Sequence, residues 1–359
     1  MHVRADLPPN ARAAIERARR PALVFDRARL ERNAVAITTA ARAANITSLF
    51  AAKSFPHPLV REFVARHFDG FDAASEAELA ELPPSKIVSI ADPTGRAVSA
   101  RAARTIVSCD TLEQIRAVPA SAEIAIRLSM SLTARDPAIG VVQDGSGHRR
   151  SRFGLDLDPE RRRADLRALV AAADRPVGLH VHHGAVTATS PERFLATARA
   201  ALAVAHDAEL EPAFLNLGGA WHGIAELAAA FAELRAAFPR LELIVEPGRA
   251  LVDEAGFACG RVISARALDD RALRVLDLSR ICHLRWSQIE LVGSAPRAGL
   301  GTKHLLVGPT CFEDDVLGEW TTEDPLVAGS RIVVRHVTGY AVAWNTGFHG
   351  VPPADVVVV

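Results

Sequence analysis

Several features that would mark other classes of protein are missing from this sequence of 359 residues. No apolar run approaches the roughly 20 residues that span a bilayer, and the opening segment MHVRADLPPNARAAIERARR lacks the apolar core of a secretion signal. The 42 basic and 42 acidic side chains leave no net charge to attract nucleic acid or a membrane surface. These absences predict a cytoplasmic protein whose partner is a small molecule.

Cysteine is also scarce. The four cysteines, Cys109, Cys259, Cys282 and Cys311, form no CxxC pair and show no zinc spacing, which argues against a disulfide framework and against a structural metal site. We expect four free thiols, three of them small buried apolar residues. Cys311 differs, because it lies in the unusual segment GPTCFEDDVL.

Short apolar runs alternate with longer amphipathic segments between residues 22 and 246, a pattern typical of βα units around a parallel sheet. Eight strands are predicted, at residues 48–52, 70–72, 87–90, 106–109, 124–128, 177–182, 214–217 and 243–246. Helices are predicted at residues 26–44, 159–173, 191–206 and 224–237, with Asp26, Ser75 and Ser190 as N-caps. Eight βα units predict a TIM-type (β/α)8 barrel over residues 22–246.

Strand-like runs without long helices follow Glu246, at residues 258–264, 273–276, 304–307, 331–337 and 356–359. They predict a second, all-β domain, a β-barrel or sandwich, made of residues 1–21 plus 247–359. The segment 130–152 is long and rich in Gly, Asp and Arg, which indicates a functional loop or lid.

Polar residues stand at the ends of several barrel strands, where the active site of such a barrel forms. They are Lys53, Asp72, His182, Gly218, Gly219 and Glu246. For any one of them a structural salt bridge is the simpler interpretation, but together they predict a site. A lysine directly after a buried strand is costly to leave charged, so its amine tends to be neutral or paired. A neutral amine is the state that a Schiff-base lysine requires. The glycine pair suits a phosphate, Glu246 suits a protonated ring nitrogen, and His182 could stack on the ring.

Eight motifs occur in an order and spacing that match a known family. They are FAAKS, GFDAASEAEL, SRFGLDL, GLHVHHGA, LNLGGAW, EPGRALV, GPTCFEDDVL and GYAVAWNTGFHG. On these motifs the chain resembles, nearly end to end, the fold-type III, alanine-racemase-like decarboxylases that use pyridoxal 5'-phosphate (PLP). That group contains the diaminopimelate and eukaryotic-type ornithine decarboxylases.

The resemblance implies a role for each matching position. Lys53 would hold PLP as a Schiff base with Asp72 nearby, His182 would stack on the pyridine ring, and Glu246 would pair with its nitrogen. The phosphate would be bound by Gly218, Gly219, Arg249 and Tyr340, the only tyrosine in the chain, and Arg127 would lie near the cofactor. Cys311 would reach the cofactor of the other subunit in a homodimer and reprotonate the substrate carbon after carbon dioxide leaves.

The chain departs from the family pattern at three positions. Ala185 replaces a serine and predicts the loss of one phosphate hydrogen bond, and His349 replaces an asparagine. Phe312 follows the cysteine where relatives that act on diamino acids carry an acidic residue, and a phenyl ring cannot compensate a buried cation. Glu313, Asp314 or Asp315 could take that role only if the loop shifted.

The segment LDLSRICHLRWSQIE matches the specificity region of the family and presents Arg280, His283, Arg285 and Trp286. Arginine binds carboxylates through two parallel hydrogen bonds, although surface ion pairs would explain these arginines equally well. The hypothesis is decarboxylation of an amino acid with an anionic or conjugated distal group, such as an intermediate of a secondary-metabolite or siderophore pathway.

Two other functions remain open on the same scaffold. A racemase or epimerase needs acid–base groups on both faces of the cofactor; the single tyrosine is already claimed by the phosphate motif, but Cys311 could act as the second base. A catalytically inactive homologue would not need Lys53, His182, Glu246 and Cys311 together.

Overall fold

Strands and helices alternate through most of the chain. The computed structural model describes residues 7–97, 102–129, 153–155, 162–182, 191–219, 221, 227–268, 271–293 and 301–359. The strands are β1 (Ala22–Phe25), β2 (Thr47–Ala51), β3 (Gly70–Ala73), β4 (Ile87–Ile90), β5 (Arg104–Cys109), β6 (Glu123–Arg127), β7 (Val177–His180), β8 (Phe214–Asn216), β9 (Glu242–Val245), β10 (Gly256–Leu268), β11 (Arg271–Leu276), β12 (Glu290–Leu291), β13 (Thr302–Val307), β14 (Val316–Thr322), β15 (Arg331–Arg335) and β16 (Asp355–Val358). The helices are α1 (Pro9–Arg17), α2 (Arg27–Ala43), α3 (Pro58–His67), α4 (Glu76–Ala80), α5 (Leu112–Ala117), α6 (Arg162–Ala173), α7 (Pro191–Asp207), α8 (Leu227–Ala237) and α9 (Tyr340–Ala343).

Strands β2 to β9 form a closed parallel barrel in chain order, which confirms the predicted (β/α)8 architecture. Each of the eight predicted strands overlaps one of these. The barrel closes where β2 pairs with β9, with Thr47 opposite Ile244. A buried apolar cluster from five of the strands comprises Leu49, Ile106, Ala125, Phe214 and Ile244. Near-continuous apolar runs are what a parallel strand covered on both faces requires.

A charge cluster joins the first residues of three barrel strands. Arg104 begins β5 and donates to Glu123 at the start of β6 and to Glu242 at the start of β9. The amino-terminal end of a barrel of this type serves stability. Ion pairs therefore stabilise the amino-terminal end of the barrel, and the active site is expected at the carboxyl ends of the strands.

Two of the predicted helix caps are present. Asp26 accepts a hydrogen bond from the backbone N–H of Arg29 before α2, and Ser75 accepts one from Glu78 at the start of α4. Ser190 and the predicted lid at 130–152 lie outside the described residues. No helix in the described part of the chain is long and apolar enough to cross a membrane.

The remaining strands form a mostly antiparallel sheet in the order β12-β15-β10-β11-β13-β14, with β1 and β16 attached through β10. This confirms the expected second, β domain. All five predicted strands are present, but β1, β12 and β14 were not predicted. Its core includes Ile15, Val24, Phe257, Cys259 and Val333.

The boundary between the two compact units differs from the predicted one at residues 22 and 246. The barrel unit comprises Asn33–Lys53 and Val60–Leu251, and the β unit comprises Met1–Arg32, Ser54–Leu59 and Val252–Val359. Strand β1 belongs to the β unit because it pairs with β10 and β16. Residues 54–59 belong to it as well, since the ring of Phe55 packs 4.5 Å from that of Phe25 in β1.

The four cysteines are free thiols, as expected. Cys109, Cys259 and Cys282 are buried, and Cys311 is exposed. Burial raises the pKa of Cys109 to about 12, and the nearby Asp110 raises it further. A thiol that stays protonated in this way behaves as a small apolar group.

Candidate active site

Lys53 and Asp72 form an ion pair at the carboxyl ends of two adjacent barrel strands. Lys53 lies in a single 3-10 turn, Ala52–Ser54, that follows β2, and its Nζ donates to Oδ2 of Asp72 in β3. The Asp72 side chain is completely buried, whereas the Lys53 side chain remains 37% exposed. The lysine amine is thus held by a buried carboxyl group, on a side chain that remains partly exposed.

The carboxyl group of Asp72 is poised to titrate near neutral pH. Burial raises its pKa to about 6, and the negative charge of Glu246 acts in the same direction. The positive charges of Lys53 and Arg127 oppose this rise. A carboxyl group with a pKa close to the working pH can accept a proton from the amine and return it.

The shifted pKa of Asp72 predicts a pH-dependent stability. Its pKa rises on folding from the ordinary 3.8 to about 6, so the folded chain binds an extra proton in this interval. The stabilisation is complete below the lower value and is lost as the pH rises through the higher one, by about 3 kcal/mol. In Asp72→Asn this titration is removed. Denaturant unfolding of the cofactor-free proteins should show the wild type losing about 3 kcal/mol relative to the variant between about pH 4 and pH 7; a difference that is constant with pH would contradict the shift.

Glu246 follows β9 directly, and its carboxylate is held by the last residue of β8. Nδ2 of Asn216 donates to Oε1 of Glu246 at 2.6 Å, and Oδ1 of Asn216 accepts from the N–H of Gly218 at 2.8 Å. Asn216 is fully buried and Glu246 is 2% exposed. One amide therefore joins the carboxylate to the glycine turn.

His180 ends β7 beside the other oxygen of Glu246. Its Nδ1 is 2.7 Å from Oγ of Ser108 in β5, and its Nε2 is 3.8 Å from Oε2 of Glu246. Burial, assisted by the charges of Arg127 and Lys53, holds the pKa of His180 well below its ordinary value, so the ring is neutral. The carboxylate favours the tautomer with hydrogen on Nε2, in which Ser108 donates to Nδ1.

Asn216, His180 and Ser108 were not predicted from the sequence. The signal that could have revealed them is polarity within strands that are otherwise apolar: FLN, VGLH and RTIVSC. A buried polar side chain is costly unless it has a partner. His180 is the last residue of β7, two residues before His182.

The turn after β8 packs against His182, the histidine predicted to stack on the cofactor. Gly218 has φ of +62°, and a Cβ atom there would lie 2.9 Å from Cδ2 of His182. At Gly219 a Cβ atom would lie 3.1 Å from the carbonyl oxygen of Glu246. At Gly218 both the left-handed backbone conformation and the close approach of His182 favour glycine, and at Gly219 a side chain would crowd the backbone of Glu246.

The structure corrects the predicted role of Gly218. Its N–H is taken by Asn216, while its carbonyl accepts from the backbone N–H of Glu246 at 2.8 Å and from Nε1 of Trp221 at 3.0 Å. The Gly218 amide is therefore not turned out toward a phosphate. Gly218 shapes the turn, and the phosphate prediction rests on Gly219 and Arg249.

The two arginines predicted near the cofactor lie on the barrel unit. Arg127 is the last residue of β6, and its guanidinium group stacks 4.9 Å from the ring centroid of Phe153. Its charge affects the pKa values of both Asp72 and His180, which places it at the same end of the barrel. Arg249 is half-buried and opens the 3-10 turn Arg249–Val252.

The residues at this end of the barrel fit an aldehyde cofactor with a basic ring and an anionic group. The amine of the partly exposed Lys53 side chain suits the aldehyde, and the buried carboxylate of Glu246 suits a ring nitrogen. Oδ1 of Asp72 and Nε2 of His180 are buried with no hydrogen-bond partner within the described residues. Buried polar atoms of this kind indicate a site completed by a ligand.

The site residues predicted in the β unit form an exposed aromatic group. The ring of Trp286 lies 5.1 Å from that of Tyr340 and 5.4 Å from that of Trp344. Arg285 is exposed and stacks 4.8 Å from the Trp344 centroid. A guanidinium group held over an aromatic face is partly ordered and still accessible.

Cys311 and Phe312 are both exposed. The ring of Phe312 is 52% exposed and packs edge-on against Phe348, with centroids 5.3 Å apart. His349 has φ of +59°, in the left-handed region where Asn and His are both enriched. This accounts for the histidine that stands where the family has asparagine.

The structure corrects the prediction that His283 contacts substrate. His283 is completely buried, its Nδ1 accepts from the N–H of Ser279 at 3.1 Å, and its Nε2 donates to the carbonyl of Pro352 at 3.0 Å. Both nitrogens are therefore used within the β unit. Arg280 likewise donates to the carbonyls of Leu284 and Ser287.

Asp315 is committed to the structure and does not provide the missing substrate acid. It is 2% exposed and accepts hydrogen bonds from the hydroxyls of Ser279 and Thr310 and from the backbone N–H of Arg280. These bonds join the loop that carries Cys311 to the segment that carries Arg285. Glu313 and Asp314 are exposed.

Replacing Asp315 with alanine is expected to lower the free energy of unfolding by about 3 kcal/mol or more, because several buried donors lose a charged acceptor. Asp314→Ala is the matched control, since it removes an exposed carboxylate one residue away, with an expected change within about 0.5 kcal/mol. Chemical denaturation measures both. Equal effects in the two variants would contradict the role given to Asp315.

The fold and the barrel-end site together define a class of protein. Residues 27–253 match the family model described as pyridoxal-dependent decarboxylase, pyridoxal binding domain. The chain belongs to this family. PLP is thus the cofactor that the polar barrel end accommodates.

Particular relatives lie within the same family. The chain is 32% identical over 172 residues to diaminopimelate decarboxylase of Deinococcus radiodurans, a stretch covering 47% of this chain and 43% of the relative. It is 28% identical over 150 residues to carboxyaminopropylagmatine decarboxylase of Synechocystis sp., covering 38% of each chain. These aligned stretches span less than half the length of either relative.

Solved structures extend the similarity in fold to nearly the whole chain. The arginine decarboxylase of Paramecium bursaria Chlorella virus superimposes with a TM-score of 0.78 at 18% identity, covering 98% of this chain and 99% of the other. At that identity the likeness establishes the fold. It leaves the substrate open.

Proposed function

We propose that this protein decarboxylates an amino acid whose distal group is not a simple ammonium. The observation that carries the proposal is the Lys53–Asp72 pair beside a buried Glu246, in a chain of the pyridoxal-dependent decarboxylase family. When bound, PLP supplies the electron sink that accepts the electron pair released as the α-carboxylate leaves as carbon dioxide.

In this proposal the barrel residues bind the cofactor and handle protons. The Lys53 amine binds the aldehyde, and Asp72, whose pKa is raised to about 6, takes the proton that the amine must lose and returns it. Glu246 binds the ring nitrogen, and His182 covers one face of the ring. Gly219 and Arg249 bind the phosphate.

Residues of the β unit complete the proposal through their sequence motifs. Tyr340 adds a hydroxyl to the phosphate, and Arg127 of the barrel contributes positive charge near the cofactor. Cys311, whose thiol is free and exposed, returns a proton to the substrate's α carbon in the other subunit of a homodimer. A racemase is disfavoured because the single tyrosine is assigned to the phosphate, although Cys311 could serve as its second base.

The substrate proposal depends on Phe312. This ring is exposed where diamino-acid enzymes have an acid, and Asp315 is already bonded within the β unit. Arg285 is the exposed cation of the adjoining segment and suits a carboxylate. The printed name of one relative, carboxyaminopropylagmatine decarboxylase, denotes a conjugated substrate, which supports an extended, conjugated distal group for this chain.

A substrate panel tests this proposal. We expect Nε-succinyl-lysine, an anionic conjugate, to release carbon dioxide with a kcat/KM at least about a hundredfold above lysine, ornithine, arginine and meso-diaminopimelate, since an uncompensated buried cation is costly. Phe312→Asp should narrow that ratio by restoring an acid. Efficient turnover of any dibasic amino acid by the wild type would contradict the substrate class and leave the decarboxylase assignment intact.

A further inference from the structure

A chain of buried polar side chains lies behind Glu246, on strands that could have ended in apolar residues. Asn216 is completely buried, and its amide group uses both ends: Nδ2 donates to Glu246 at 2.6 Å and Oδ1 accepts from Gly218 at 2.8 Å. Nδ2 also lies 3.5 Å from Oγ of Ser89 in β4. The side chain thus has no freedom to rotate without breaking a buried bond.

The second oxygen of Glu246 faces a different strand. Nε2 of His180 lies 3.8 Å from Oε2, and the imidazole is itself fixed by Ser108 at 2.7 Å. His180 and Ser108 are 1% and 5% exposed. Both carboxylate oxygens therefore face an oriented, neutral polar group. The Asn216 amide is within hydrogen-bond distance of Oε1, and the His180 ring lies farther from Oε2.

This arrangement has a cost that packing alone would not justify. Burying an amide and an imidazole is unfavourable unless their hydrogen bonds are complete, and a half-satisfied network is worse than an apolar one. Asn216 is fully satisfied, whereas Nε2 of His180 lacks a hydrogen-bond partner within the described residues. Buried polar groups that are kept at such a cost are typical of residues that orient a functional side chain.

We propose that Asn216 is a positioning residue that aims the Glu246 carboxylate at the ring nitrogen of the cofactor. This inference rests on the proposed function. The short hydrogen bond from Asn216 is to Oε1 of Glu246, so Asn216 orients the carboxylate. On the other side, Ser108 acts through His180 to limit rotation of the carboxylate. Loss of the Asn216 amide or of the Ser108 hydroxyl should weaken recognition of the ring nitrogen, while the carbonyl of Gly218 keeps its hydrogen bonds from the backbone N–H of Glu246 and from Trp221.

Equilibrium binding of two cofactors to the cofactor-free chain tests the inference. One is PLP, and the other is its analogue with CH in place of the ring nitrogen. We expect Asn216→Leu and the smaller change Asn216→Ser to weaken PLP binding about tenfold and to alter binding of the analogue by less than about twofold, because only PLP uses the Glu246 bond. Ser108→Ala should act in the same direction by a smaller factor.

Two reference variants make the result decisive. Thr105→Val removes another buried hydroxyl from β5, one without a partner in the described structure, and should change neither affinity. Glu246→Gln should lower the preference for PLP directly. If Glu246→Gln lowers the preference but the Asn216 variants weaken both cofactors equally, Asn216 is merely structural and the inference is overturned. If Glu246→Gln leaves the preference unchanged, the inference falls together with the assignment of Glu246.

Discussion

Replacing Lys53 with alanine is expected to abolish the visible absorption of the lysine-bound cofactor and to lower the decarboxylation rate by at least about a thousandfold, the scale of losing an essential nucleophile. The reason is geometric, since Lys53 places its amine beside Asp72 at the barrel end and is the lysine proposed to bind the aldehyde. Lys86→Ala is the matched control. That lysine lies in the same unit but donates to the carbonyl of Phe68, so its loss should leave both the absorption and the rate close to those of the wild type.

Chemical trapping gives the same test without substitution. The chain contains only three lysines, Lys53, Lys86 and Lys303, so reduction of the PLP-loaded protein with borohydride followed by peptide mass spectrometry can distinguish them. We expect the stable adduct on Lys53. A major adduct on Lys86 or Lys303, or absorption that survives in Lys53→Ala, would contradict the assignment of the cofactor lysine.

Replacing Cys311 with alanine is expected to slow product formation by about 100-fold to 1,000-fold, the usual contribution of a positioned general acid. The PLP absorption should persist, because the thiol does not hold the cofactor. Because the Cys311 thiol is exposed, the variant should fold as the wild type does. Cys259→Ala alters a core thiol and reports on stability alone. Unimpaired turnover by Cys311→Ala would remove the cysteine from the mechanism.

Mixing two inactive variants tests whether the proposed sites are shared between subunits. In the proposed homodimer, Lys53→Ala and Cys311→Ala would each disable both sites. In a randomly exchanged mixture, half of the dimers would carry one intact site, so activity should recover to about a quarter of the wild-type value. No recovery after demonstrated subunit exchange would place Cys311 and Lys53 of one chain in the same site.

The barrel could be predicted from sequence because each strand is a short apolar run between amphipathic helices. Strand β1 could not be assigned in that way. ALVF has the same apolar texture as a barrel strand, and only its pairing with β10 and β16 reveals the β unit as its place. Strand β14 was missed because GEWTT lacks a continuous apolar run, although the strand pairs with its immediate neighbour β13.

Some residues of the candidate site could likewise be predicted from the sequence, and others could not. Lys53, His182 and Glu246 follow apolar strands and Asp72 lies near the end of one, so position alone draws attention to them. Asn216 and His180 are found only when hydrogen bonds are visible, since a single polar residue in a strand has many possible partners. His283 shows the reverse error: its motif pointed to the substrate, but tertiary packing gave both nitrogens to the backbone.

The pairing of β1 with β16 also has a consequence for the order of folding. Ala22 lies opposite Asp355, although more than three hundred residues separate them along the chain. During synthesis the barrel segment can be complete before β16, the strand that pairs with β1, has been made. Contacts of such long range also form slowly. Until then an apolar strand edge is exposed, which is the feature that chaperones recognise and that promotes aggregation. Shortening the chain before Asp355 would make that temporary state permanent.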